Sequence, residues 1–176
     1  MQTITAGRSW TDTIQAASTL LADRPDTWTG MSGETVTGAA VARHLDTVAD
    51  LLARHGWVRS YGDTDSDGVD IADDESMTVK DMLRTVLRIA RTLVSVGDPR
   101  LTLWSAMKQA SRSDFSDSDT HRVAERVLDA LIKARTGGSG YVSHDSWSER
   151  VGRTRDDIAA LLAAGADLAH QHGPTA

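Results

Sequence analysis

The sequence predicts an all-α protein, a compact bundle of six to seven helices with at most one short β-hairpin near residues 57–71. Apolar side chains recur at helical spacing along most of the 176 residues. Capping residues, glycines and prolines lie where these periodic stretches begin and end. The composition, 40% hydrophobic and 25% charged, is typical of a globular chain.

The first predicted helix begins after Ser9, which can cap it, and runs to about residue 22. Residues 24–38, which contain one proline and two internal glycines, predict an irregular arm. A second helix is predicted over residues 38–55 and ends at Gly56. Its apolar face consists of Val41, Leu45, Val48, Leu51 and Leu52.

The chain is expected to consist of two structural parts. Residues 1–40 form an N-terminal helix with an irregular arm, and residues 41–172 form a helical domain. Within that domain, the Asp-Gly pair at Asp67 favours a hairpin turn, and residues 77–96 predict a central helix whose apolar arc spans about 160°. Asp98 and the proline after it predict the start of the next helix.

The last third of the chain predicts three more helices. One covers about residues 119–135 and ends before Gly137. Ser146 matches the capping-box spacing for a short helix, which Gly152 ends. Thr154 caps the final helix.

Charge is unevenly distributed along the chain. The formal net charge is −6, and residues 63–75 contain seven acidic and no basic side chains. Asp63, Asp65 and Asp67, followed by glycine, match the first half of an EF-hand calcium loop, with Asp74 in the closing position. Because Asp70 stands in the usual apolar position and the closing ligand is an aspartate, we expect a solvated acidic loop that binds calcium weakly and with no preference over magnesium. A degenerate EF-hand that binds calcium specifically is the alternative.

Two basic groups are candidate interaction sites. The first is a stripe on one side of the predicted helix 77–96, formed by Lys80, Arg84, Arg88 and Arg91. Such a stripe can contact phosphates or a partner, or simply face solvent.

The second basic group lies in residues 148–161, which resemble a helix-turn-helix. Arg150, Arg153 and Arg155 could contact phosphates, but the next two residues are aspartates that would repel DNA. Specific nucleic-acid binding is therefore not expected.

No motif predicts a catalytic site, a cofactor or a membrane span. The chain has no cysteine, no phosphate-binding glycine loop and no apolar run of transmembrane length. His44 and His55 are expected at the edge of the core, too far apart to share a metal. Ser143, His144 and Asp145 have the residue types of a triad, but adjacency in sequence does not make one. With no signal peptide, a cytoplasmic protein is expected.

Three short motifs resemble an uncharacterised actinobacterial and actinophage family, a domain of unknown function. They are a helix that ends in Gly56-Trp57, the turn Asp65-Ser66-Asp67-Gly68, and Trp147 followed by Gly152-Arg153-Thr154. The resemblance spans roughly residues 41–170 and implies a biological setting without a mechanism. We therefore predict a small non-enzymatic protein that acts through protein–protein contacts. The alternatives are a DNA-associated regulator and a calcium-responsive module.

Overall fold

A computed structural model describes residues 9–60, 99–113, 116–137 and 143–175. These residues form six α-helices and one 3₁₀ turn, with no strand beyond two isolated β-bridges, so the predicted all-α class is confirmed. The helices are α1 (Trp10–Ala22), α2 (Gly38–His55), α3 (Leu103–Ala110), α4 (Ser118–Thr136), α5 (His144–Ser148) and α6 (Arg155–His172), and the 3₁₀ turn is Pro25–Trp28. The predicted helix 77–96 lies outside the described residues.

Each of these helices begins with a side chain that accepts a backbone N–H of its first turn. The six caps are Ser9, Thr37, Thr102, Asp117, Ser143 and Thr154. The predictions for Ser9 and Thr154 are confirmed.

Two predicted helix starts are wrong. The helix expected after Asp98 begins at Leu103, because Leu101 is extended and exchanges backbone hydrogen bonds with Gly56 and Val58. The short helix expected after Ser146 begins at His144. There Ser143 is the cap, and its hydroxyl accepts the N–H of Ser146 at 3.1 Å.

The long helices form two antiparallel pairs. α2 and α6 are antiparallel, since the N–H of Gly38 donates to the carbonyl of Pro174 while Arg155 reaches the carbonyl of Ala53. α1 is antiparallel to α4, since the guanidinium of Arg135 lies 4.1 Å above the ring of Trp10. One end of the bundle therefore contains the last turns of α2 and α4 and the first turns of α3 and α6. We call it the Trp104 end.

Gly165 lies where α6 meets both α2 and α4. A Cβ at this position would lie 2.8 Å from Cδ1 of Leu45 and 2.9 Å from Cδ2 of Leu128. Both leucines are completely buried, so they have no solvent space into which to move. The missing side chain is what allows the three helices to approach so closely.

The arm that follows α1 is held on α4 by two side chains. Nη1 of Arg126 donates to the carbonyl oxygens of Asp26, Thr27 and Thr29, at 2.9, 3.2 and 2.7 Å. The carboxylate of Asp119 accepts the N–H of Met31 at 2.8 Å. Because these bonds satisfy backbone groups that no helix or sheet would satisfy, the arm keeps a defined path without regular structure.

We expect Gly165→Val to destabilise the protein by about 1–3 kcal/mol, because the added atoms overlap two buried leucines. Urea denaturation measures the loss. Ala163→Val is the matched control, since Ala163 lies on the exposed side of the same helix and reports helix propensity alone. Equal losses for the two variants would contradict the close packing.

Candidate functional site

Most of the predicted site residues lie outside the described part of the chain. They are the calcium-loop candidates Asp63, Asp65, Asp67 and Asp74 and the stripe residues Lys80, Arg84, Arg88 and Arg91. Their roles stay predictions.

The three arginines of the helix-turn-helix-like segment have different environments. Arg150 is exposed, whereas the guanidinium of Arg153 stacks 3.9 Å above the ring of Trp147. Nη2 of Arg155 lies 3.4 Å from the carbonyl oxygen of Ala53. Two of the three side chains therefore already contact the protein itself.

The aspartates in the first turn of α6 stabilise the N-terminus of this helix. Asp157 and Thr154 form a capping box, in which each side chain accepts the backbone N–H of the other residue. The N–H of Thr154 holds the pKa of the Asp157 carboxyl below its usual range. This supports the interpretation of these carboxylates as partners of the helix N-terminus.

A cluster of histidines and carboxylates lies where α4 meets α5 and α2. His144, at the start of α5, donates its backbone N–H to Oδ1 of Asp129 at 2.7 Å, and its Nδ1 lies 2.9 Å from the same oxygen. Since a carboxylate only accepts hydrogen bonds, this Nδ1 carries a proton. Asp129 thus fixes both the position of α5 on α4 and the orientation of the His144 ring.

The other side of the His144 ring faces Asp145. Nε2 lies 3.3 Å from Oδ1 of Asp145, close enough for an ion pair but without hydrogen-bond geometry, so both buried atoms lack a hydrogen-bond partner. Burial lowers the pKa of His144, but the Asp129 hydrogen bond and the nearby carboxylates outweigh it, so the pKa is raised. Burial raises the pKa of Asp145.

His121, on α4, lies beside this pair. Its Nε2 is 3.5 Å from Oε1 of Glu125, one turn along the helix, while its buried Nδ1 has no hydrogen-bond partner. Burial lowers the pKa of His121, more than the charge of Glu125 raises it. The imidazole therefore stays neutral near pH 7, with an unused nitrogen inside the protein.

His44, on α2, completes the cluster. Its ring meets the ring of His121 edge to face, with centroids 5.6 Å apart, and its Nδ1 lies 2.7 Å from Oγ of Ser116. Burial, and then the neighbouring His121, lower the pKa of His44 to about 4. Both histidines were expected at the edge of the core, but His44 is completely buried within it and His55 is exposed in the last turn of α2.

A groove of about 850 Å³ lies along this region, between the end of α1, the 3₁₀ turn, α4 and α5. Arg24, Lys133, Ser143, His144 and Asp145 are among its lining residues. Within the described residues, no three histidine, aspartate or glutamate side chains are placed to hold a metal ion. The cluster places three imidazoles and the carboxylates of Glu125, Asp129 and Asp145, all groups that can bind or release a proton, in one region.

The Trp104 end presents two apolar side chains to solvent. Trp104, at the start of α3, is 48% exposed, and Val151, between α5 and α6, is 90% exposed. The ammonium of Lys108 lies 4.7 Å from the centroid of the Trp104 ring. Exposed apolar groups of this size are a common feature of binding surfaces.

One family model matches most of the chain. The model of DUF6197, described as a family of unknown function, matches residues 36–168. The chain belongs to this family. The match confirms the predicted membership of an uncharacterised family, and it adds no activity. No curated protein and no solved structure matches the chain. Within the described residues, no helix has the length and hydropathy to cross a membrane.

We expect Asp129→Asn to lower the pKa of His144 and to destabilise the protein by about 1–3 kcal/mol near pH 6. The raised pKa of His144 adds stability that is fully present below the unfolded value of 6.5 and is lost as the pH rises through the folded value. The cost of the substitution should therefore be smaller near pH 9.

Urea denaturation at the two pH values, with an NMR titration of His144, measures both effects. Asp167→Asn is the control, because Asp167 is an exposed aspartate on α6. The same cost at both pH values would show that Asp129 does not stabilise a charged imidazole.

Proposed function

We propose that this is a non-enzymatic, cytoplasmic protein of an actinobacterium or its phage, which acts through protein–protein contacts at the Trp104 end. The observation that carries the proposal is the exposure of Trp104. Trp147 is buried, and Trp10, Trp28 and Trp57 pack against the core. Tryptophan is enriched among residues that dominate binding energy, so its exposure, at the end of the bundle that also presents Val151, favours a partner-binding surface.

The charges around the two apolar groups suggest the chemistry of the partner. Lys108 covers part of the Trp104 ring, and Arg150 is adjacent to Val151. Glu149 precedes Arg150, and Asp156 lies in the first turn of α6, so acidic groups also lie close to Val151 in the sequence. A partner surface with an apolar centre and a carboxylate opposite Lys108 would complement Trp104 and its cation.

The non-enzymatic part of the proposal is supported by the histidine environments. The Ser116–His44 pair has no carboxylate on the other imidazole nitrogen. His144 has a carboxylate on Nδ1, but Ser143 beside it caps α5. Neither arrangement supplies the nucleophile, base and orienting acid of a triad.

The two alternative functions have less support. DNA contact would need Arg153 and Arg155, whose side chains already contact the protein, and α6 begins with aspartates. The calcium-responsive alternative depends on residues 63–75, outside the described residues.

We expect Trp104→Ala to weaken partner binding about thirty-fold, as removal of a residue worth about 2 kcal/mol would. Tagged protein is used for affinity capture from the native host, and mass spectrometry identifies the captured proteins. The purified partner is then titrated against each variant. Met31→Ala is the matched control, because Met31 is another exposed large apolar residue, located in the arm.

Loss of binding with Trp104→Ala, together with full binding by Met31→Ala, would support the proposed surface. If the Trp104→Ala variant bound the partner as tightly as the unmodified protein, the binding site would lie elsewhere. The absence of any partner whose binding saturates would contradict the proposed function.

A further inference from the structure

We propose that His44, His121 and His144 form a proton-operated switch that controls how firmly α5 is docked on α4. The switch is a property of the fold and can be tested without a partner. Only its consequence for binding, through Val151 at the other end of the α5 segment, rests on the proposed function.

Three helices bring the three imidazoles into one cluster. They come from α2, α4 and α5, and each contains a buried nitrogen without a hydrogen-bond partner, namely Nε2 of His44, Nδ1 of His121 and Nε2 of His144. His121 lies between the other two, in ring contact with His44 and under the electrostatic influence of His144. Charge on one imidazole therefore affects its neighbour.

The buried nitrogens of His121 and His144 that lack a hydrogen-bond partner are the basic nitrogens of the two rings. Nδ1 of His144 forms a hydrogen bond with Asp129 and so carries the proton of the neutral ring. Nε2 of His121 lies 3.5 Å from Oε1 of Glu125, an ion-pair distance that favours the proton on this nitrogen. The opposite nitrogen of each ring then holds the lone pair. Each ring can accept a second proton without breaking the contact that already orients it.

The charged groups that face each ring differ. Asp129 and Glu125 of α4 and Asp145 of α5 all favour a charged His144. His121 faces Glu125 and Asp145, but also Arg122 and His144.

His44 is the least compensated of the three rings. It faces His121, and its one favourable charge is Asp117, the cap of α4, which is exposed to solvent. Protonation should therefore occur at His144 before His121 and His44.

Protonation of His144 and the later protonation of His121 have opposite effects on the docking of α5. A proton on His144 strengthens its ion pair with Asp129 and so tightens the docking of α5. A second proton, on the partly buried ring of His121, adds a cation that repels the charged and buried His144 and so weakens the docking. The pKa directions agree, since that of His144 is raised while those of His121 and His44 are lowered, the latter to about 4.

The directions of the three pKa shifts determine how the folding stability changes with pH. The lowered pKa values of His44 and His121 mean that the unfolded chain binds these protons first, so stability falls as the pH drops below 6.5. The raised pKa of His144 affects the stability above pH 6.5, where the stability falls as the pH rises. Docking of α5 should be firmest between these two regimes.

Amide hydrogen exchange followed by mass spectrometry tests the switch in the full chain. We expect the protection of residues 144–152, corrected for intrinsic exchange, to fall at least about tenfold between pH 6 and pH 4.5, while α2 and α6 stay protected. His121→Gln, which cannot take a proton, should abolish this loss. His170→Gln is the control, since His170 is exposed on α6 and should leave the loss unchanged.

A second measurement keeps the test valid if His121→Gln folds poorly. In the unmodified protein, NMR titration of the His121 ring should show a midpoint that coincides with the loss of protection in residues 144–152. Three results would overturn the proposal: simultaneous loss of protection in α2 and α6, an unchanged acid response in a folded His121→Gln variant, or different midpoints. Stabilisation by zinc that requires both His121 and His144 would also overturn it, in favour of a metal site.

Discussion

The close approach of α6 to α2 and α4 at Gly165 is the constraint on which the remaining structure depends. Any side chain there would overlap Leu45 and Leu128, which have no room to move. This contact fixes the inner face of α4, where Val127, Leu128 and Leu131 are completely buried. With the inner face fixed, the polar side chains of α4 are also fixed in direction. The arm, α1 and α5 all pack against this helix.

The polar side chains of α4 therefore organise the irregular parts of the molecule. Asp119 and Arg126 hold the arm through its backbone, whereas Asp129 holds the first residue of α5. His121 lies among these residues and faces both α2 and α5. A single helix thus links the hydrophobic core to the titratable cluster. The short segment after α5 extends from this cluster to Val151 at the Trp104 end.

Local patterns predicted the parts of this fold that local physics determines. The caps Ser9 and Thr154 and the apolar face of α2 follow from neighbours within one or two helical turns. The start of α3 was wrong because Leu101 pairs with a segment more than forty residues earlier, near Gly56. The histidine cluster was missed for the same reason, since its three rings are far apart in sequence. The His121–Glu125 spacing and the inward position of His44 were its available signals.

The protonation state of the two rings next to carboxylates gives the most direct test that α4 positions the cluster. Long-range proton–nitrogen NMR spectra, recorded at a pH above both titration midpoints, identify which nitrogen of each neutral ring carries the hydrogen. The contacts with Asp129 and Glu125 predict hydrogen on Nδ1 of His144 and on Nε2 of His121. Opposite tautomers in the two rings would support the account. Hydrogen on Nε2 of His144 would contradict it, because Asp129 would then face a bare nitrogen and could not hold α5 through this ring.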